Sequence, residues 1–164
     1  MSAVVAELDL GDDATLERLL ALQRASYAVE AELIGAPELP PMRETAAQLR
    51  GCGETFLGVC DGGELLGAIS FRRAGGTVDI HRLVVDPGAF RRGVATALLD
   101  ALEARETDAT HWTVGTGAEN APARALYARR GFTATEERVV PGGIRWVRLD
   151  RSGTTLQNYV DLRR

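Results

Sequence analysis

Residues Leu83 to Leu99 run from an apolar stretch, through a turn of Pro, Gly and Arg, into a helical pattern, a strand–turn–helix order common among α/β proteins. The run Leu83, Val84, Val85 reads as a buried strand that stops at Pro87, which has no N–H to give to a strand ladder. From Val94 onward, Ala97, Leu98, Ala101 and Leu102 recur at the spacing of one helix face. The first turn of that helix is expected near Arg91, Arg92, Gly93, Val94, Ala95 and Thr96, and its free N–H groups need an acceptor. The positive end of the helix dipole favours an anion there. Gly93 and Ala95 leave the backbone approachable, and Arg91 and Arg92 add charge. Together these residues read as a cradle for a diphosphate.

Composition narrows how else an anion could be gripped. The 164 residues contain no Lys, so all 19 basic residues are Arg. That excludes a phosphate-binding lysine of the Walker or kinase type and a lysine Schiff base. A net charge of −4 argues against non-specific nucleic-acid binding, so no nucleic-acid partner is expected. Cys52 and Cys60 fit neither a C-x-x-C nor a zinc pattern, and the only His are His81 and His111, so no metal is expected. Both Cys read as small apolar residues near the second strand. No apolar run reaches the ~18 residues of a membrane-spanning helix, and no membrane partner is expected. Met1 to Glu7 lacks the basic and apolar regions of a secretory signal, so the expected compartment is the cytoplasm.

Periodicity and turn residues give the layout. Val4 to Leu10 reads as a first strand, and Asp12 or Asp13 caps a helix whose stripe is Leu16, Leu19, Leu20, Gln23, Tyr27 and Ile34. Gly35 to Pro41 breaks that helix, and Thr45 to Arg50 forms a second one closed by Gly51. Three strands follow at Glu54 to Cys60, Glu64 to Arg73 and Thr77 to Asp86, the first two joined across Asp61-Gly62-Gly63. Beyond the cradle, a helix to Arg105, a fifth strand at His111 to Gly115, a helix through Tyr127, and a hairpin of Phe132 to Val139 with Ile144 to Asp150 complete the order. The expected architecture is α/β (α+β by some schemes), three layers around a mixed, mostly antiparallel sheet of about seven strands. Residues 1–150 are expected to form a single domain, with 151–164 a C-terminal tail or short helix.

Two blocks carry a family resemblance. Val85-x-Pro87, followed by Arg91-Arg92-Gly93-Val94-Ala95, is similar to the cofactor loop Q/R-x-x-G-x-G/A of the GNAT superfamily of acyl-CoA-dependent N-acetyltransferases. Phe90 stands where that loop usually has Gln or Arg, which removes one side-chain contact and leaves the backbone cradle. Asn120-Ala121-Pro122-Ala123-Arg124-Ala125-Leu126-Tyr127, ending in Gly131-Phe132, resembles the second family signature, N-x-x-A-x-x-L-Y-x-x-x-G-F.

The resemblance implies a GNAT-like fold splayed between the fourth and fifth strands, with the pantetheine arm of acetyl-CoA, a co-substrate, lying in the splay. It implies backbone contacts to that arm from Leu83, Val84 and Val85 and a diphosphate held at Arg91 to Thr96. Asn120 and Ala123 are implied next to the arm, and Tyr127 as the acid that protonates the departing sulfur. The reaction implied is direct attack of an amine on the thioester in a ternary complex. A primary ammonium of pKa about 10.4 must first lose a proton. Asp79 and His81, two residues apart on one strand, are the candidate bases. Glu30 and Glu32 stand at the end of the first helix, where the resemblance implies that the acceptor pocket is shaped, and from the sequence both read as solvent-facing.

Other classes fit less well. Gly115-Thr116-Gly117 followed by Asn120 lacks the third glycine of a dinucleotide fingerprint, and no G-x-S-x-G nucleophile elbow is present. A non-catalytic acyl-CoA-binding sensor on the same fold is the alternative. The acceptor is expected to be a small-molecule or peptide amine. Monomer and homodimer are both open.

Overall fold

The computed structural model describes residues 3–153. The elements are β1 (Val4–Glu7), α1 (Asp13–Ile34), α2 (Ala46–Arg50), β2 (Thr55–Asp61), β3 (Glu64–Ala74), β4 (Thr77–Val85), α3 (Val94–Arg105), β5 (His111–Gly117), α4 (Ala121–Arg129), β6 (Thr133–Val140) and β7 (Ile144–Ser152). Short 3-10 turns at Pro40–Arg43 and Pro87–Ala89 precede α2 and α3. All the strands belong to one sheet, ordered β1-β2-β3-β4-β5-β7-β6. β4 and β5 run parallel and the other neighbours antiparallel. The mixed sheet flanked by helices is the expected architecture. The segment 154–164, read as a tail or short helix, lies outside the described residues.

Local chemistry accounts for most boundaries. Asp12 caps α1 by accepting from the Thr15 N–H, and Thr45 caps α2 with Gln48 closing the box. β1 is shorter than expected because the Asp9 carboxylate accepts from the Gly11 N–H and turns the chain toward α1. β7 runs past Asp150 because Arg151 is paired with Glu103 at 2.5 Å and stacked 5.0 Å from the Trp112 and Phe132 ring centres. Cys60 is exposed rather than packed, where the β2–β3 register slips between Val59 and Cys60.

Two cores sandwich the sheet. α3 and α4 cover one face, where Leu98, Leu102 and Tyr127 meet Ile69, Val78, Ile80, Trp112, Val114, Val147 and Leu149. On the other face α1 and α2 set Leu16, Leu19, Leu20 and Leu49 against Phe56, Ala68 and Val84 of β2–β4. That second cover ends at β4. Beyond it β5, β7 and β6 present Thr113, Arg148, Asp150 and Glu136 around open hollows.

The hinge between these regimes is a single residue. Arg82 pairs with Ser70, but Ile80 pairs with Phe71, so His81 is a surplus residue bulged out of β4. Before it, Val78 and Ile80 face α3. After it, Leu83 and Val85 face α3, while Arg82 and Val84 face α1. The parallel pairing with β5 stops at Ile80↔Val114, immediately before the bulge. His81–Val85 and Gly115–Gly117 thus part company and leave a gap.

Candidate active site

The gap opens at the carboxyl ends of two parallel strands whose chains leave into α3 and α4, the usual position for a ligand crevice in such sheets. Backbone direction alternates along a strand, and the Asp86 N–H donates to the Leu66 carbonyl on β3. Val84 therefore also points its backbone at β3, whereas Leu83 and Val85 point theirs into the gap. The Val85 N–H is taken by the Ser26 hydroxyl of α1 at 3.2 Å. Val84 itself is 1% exposed, its side chain in the α1 core.

The loop from β4 to α3 is shaped by two left-handed residues. Gly93 has φ 77° and Arg91 has φ 64°, a conformation uncommon for a residue with a side chain. These turns delay α3 to Val94, three residues later than the sequence suggests. A side chain built on Gly93 would meet nothing within 4 Å, so its backbone faces open space. α1, α2 and α4 each carry a side-chain cap, but α3 has none. The first-turn N–H groups at Val94, Ala95 and Thr96 are therefore offered outward beside Arg91 and Arg92. An αL pair leading into an uncapped helix start is an anion-binding concavity.

At the other end of the gap lies a small cavity of about 70 Å³, lined by Leu83, Val114, Asn120, Ala123 and Tyr127 and closed over by α1 and Trp146. Tyr127 is 3% exposed, with its ring edge-on to Phe132 at 5.5 Å between centres. Burial, and secondarily the nearby Glu30 charge, raise its pKa and keep the phenol protonated. Asn120 caps α4 by accepting from the Ala123 N–H at 3.2 Å. Its side chain also neighbours the Glu30 carboxylate and partly offsets the upward push that burial gives that group's pKa.

His81 and Asp79 do meet, Nε2 to Oδ2 at 3.1 Å, and His81 Nδ1 lies 3.9 Å from Glu54. His81 borders the cavity; Asp79 lines the open hollow beside it. Behind them Arg82 is saturated. Its Nε donates to Glu54, and its two terminal nitrogens donate to Gln23, Glu44 and Glu54 at 2.5 to 3.0 Å. This knot fixes α1, the approach to α2 and the start of β2 against β4. His111 is far from the gap and pairs with Asp150 at 2.8 Å.

Sequence reasoning missed three contributors. Glu32 is exposed as expected, but Glu30 turns into the cavity. The signal was present: Glu30 falls three residues after Tyr27 and four before Ile34, on the buried stripe of α1. Trp146 was unreadable, since its place is set by Gly115, whose absent side chain would lie 2.4 Å from the indole nitrogen. The Arg82 knot joins residues from four separate segments.

Comparison with known proteins agrees with this geometry. The chain is 36% identical over 125 residues to UPF0157 protein YqkA of Bacillus subtilis, covering 76% of this chain but 36% of that protein. It thus spans about a third of that relative's length. Among solved structures, the PaiA N-acetyltransferase of Thermoplasma acidophilum in complex with coenzyme A superposes with a TM-score of 0.73 at 16% identity, over 93% of this chain and 99% of that one. The ribosomal-protein-S18-alanine N-acetyltransferase of Escherichia coli gives 0.73 at 17%, over 93% and 95%. At such identities the likeness is one of fold. The profile of the acetyltransferase (GNAT) family matches residues 16–132, from the first core residue of α1 to the Phe132 that seats Tyr127. With the parted strands, the left-handed loop and the α4 signature all inside that span, the chain belongs to the acetyltransferase (GNAT) family.

Proposed function

We propose that the protein transfers an acetyl group from acetyl-CoA to a primary amine by direct attack in a ternary complex. The observation that carries this reading is the parted pair β4–β5, with an uncapped helix start beside one end and a buried tyrosine at the other. The diphosphate rests on the first-turn N–H groups of α3, with Arg91 and Arg92 adding charge. The pantetheine arm enters the gap like an added strand and bonds the inward backbone groups of Leu83 and Val85, displacing the Ser26 hydroxyl from Val85.

The amine nitrogen attacks the thioester carbonyl carbon and forms the C–N bond. As the C–S bond breaks, the Tyr127 hydroxyl gives its proton to the sulfur. The nitrogen then releases a proton that restores the phenol. Burial keeps the phenol protonated, which is the form that can donate to the departing sulfur. The acceptor is an amine of a small molecule or peptide.

The test pairs calorimetric titration of acetyl-CoA with a free-thiol assay over a panel of primary amines. Binding with amine-dependent CoA release is expected. Binding without release from any amine would leave an acyl-CoA-binding module, and absence of binding would overturn the reading.

A further inference from the structure

Most of the buried carboxylates among the described residues are matched to arginine. Glu44 and Glu54 share Arg82, Glu103 holds Arg130 and Arg151, and Glu106 holds Arg73. Asp150 is held by Arg148 and His111. Glu30 breaks the pattern. It is half-buried at the cavity in the β4–β5 gap, its neighbour there is the neutral Asn120 side chain, and no arginine is paired with it among the described residues. Partial burial disfavours the charged form of this carboxylate, and a bound cation would offset that cost.

The cations nearby cannot supply one. Arg82 lines the same cavity, but all five of its N–H groups point at Gln23, Glu44 and Glu54. His81 is turned toward Asp79 and Glu54. The other titratable groups facing Glu30 are the phenols of Tyr27 on its own helix and Tyr127 on α4, both kept neutral by burial. A carboxylate among two phenols, an amide and an indole is a receptor that lacks its cation. The cavity is small, about 70 Å³, and suits a compact head group.

We infer that Glu30 receives the acceptor's ammonium group inside the cavity and takes its first proton. This rests on the acetyltransferase reading and deepens it. The acceptor is an unhindered primary amine that arrives as a cation, and its charge is neutralised only once seated beside Glu30. The ammonium N–H bond breaks toward a Glu30 oxygen, giving neutral amine and carboxylic acid. Attack and C–S cleavage follow, with Tyr127 serving the sulfur. The Glu30 proton is the one released to solvent over the full cycle. Burial, opposed in part by the Asn120 hydrogen bond, raises the Glu30 pKa, which makes it a stronger base than an ordinary carboxylate. Asp79, about half exposed, lies outside this enclosure.

The experiment uses the full chain, its Glu30→Gln variant, acetyl-CoA and methylamine. Glutamine preserves the acceptor for the Asn120 N–H, so the fold and acetyl-CoA affinity should hold by calorimetry. In protein labelled with ¹³C at glutamate side-chain carboxyls, the resonance missing from the variant is Glu30. Methylammonium should shift it saturably, whereas methanol should not. With any amine that the wild type acetylates, the variant should lose roughly 10²-fold or more in kcat/KM at pH 7 and recover as pH nears the amine's own pKa. An unmoved Glu30 resonance, or a variant whose pH profile matches wild type, overturns the Glu30 assignment while leaving the acetyltransferase reading. Failure of the wild type to bind acetyl-CoA removes that reading itself.

Discussion

The two sides of the β4–β5 gap are built by different means. The side proposed to hold the cofactor is contiguous chain: the end of β4, the left-handed loop and the first turn of α3 lie within Leu83–Thr96, and they offer mainly backbone N–H groups. The side proposed to receive the acceptor is assembled from distant pieces: Tyr27 and Glu30 of α1, His81 at the bulge and Trp146 of β7. A backbone receptor depends on conformation and tolerates many side chains. A side-chain receptor depends on which residues meet, and can be retuned without disturbing the first. The difference separates the fixed part of the chemistry, holding an acyl donor, from the variable part, choosing an acceptor.

The sharpest way to break this comparison is at the residue where the two sides meet. Tyr127→Phe should lower kcat by about 10²–10⁴-fold with acetyl-CoA affinity unchanged, read by steady-state kinetics beside calorimetry. A parallel loss of cofactor affinity would make Tyr127 part of the donor receptor instead. Next in size is the acceptor wall. Arg82→Ala strands the Glu44 and Glu54 carboxylates and should destabilise the protein by about 3–5 kcal/mol in urea unfolding. A loss under about 1 kcal/mol would mean that solvent already screens the knot.

The donor side should respond to backbone rather than charge. Gly93→Val forces a branched residue to φ near 77°, costing roughly 1–2 kcal/mol locally and displacing the first-turn N–H groups. Acetyl-CoA affinity should fall, with unfolding stability lowered by no more than that local cost; unchanged affinity would sever the loop from the diphosphate. The smallest effect is expected on the open half of the sheet. Burial opposes ionisation of Asp150, but hydrogen bonds from Thr135, Arg148 and His111 win and bring its pKa down to about 2. Its folded value lies below its unfolded one, so this contribution is complete above pH ~4 and fades as pH falls through ~2. A plot of melting temperature against pH should show that acid limb in the wild type, and Asp150→Asn should flatten it.

The same division decides how far the sequence could be read. The layout was legible because apolar spacing, caps and Gly turns are local, and α1, α3 and α4 follow from them. The donor side was legible for the same reason: Arg91 to Ala95 and Asn120 to Tyr127 are short segments with fixed spacing. Bulging of His81 was not legible, since it is defined only against the partner Ser70–Phe71 on β3. Nor was the left-handed Arg91, a residue type that seldom adopts that conformation. Asp79 and His81 do lie side by side, yet nothing local shows that Asp79 lines the open hollow while His81 and Glu30 border the cavity. Glu30 sat on a readable stripe, and only the habit of counting helical glutamates as solvated hid it.

The surplus residue in β4 carries a consequence of its own. Side chains alternate along a strand, so a chain bearing one extra member has its far half turned inside out relative to its near half. Gaining or losing a single residue anywhere between Ile80 and Val85 would swap the occupants of the two layers and zip the parted strands together. Length in this stretch can therefore change only by even steps if each side chain of the strand is to keep its layer.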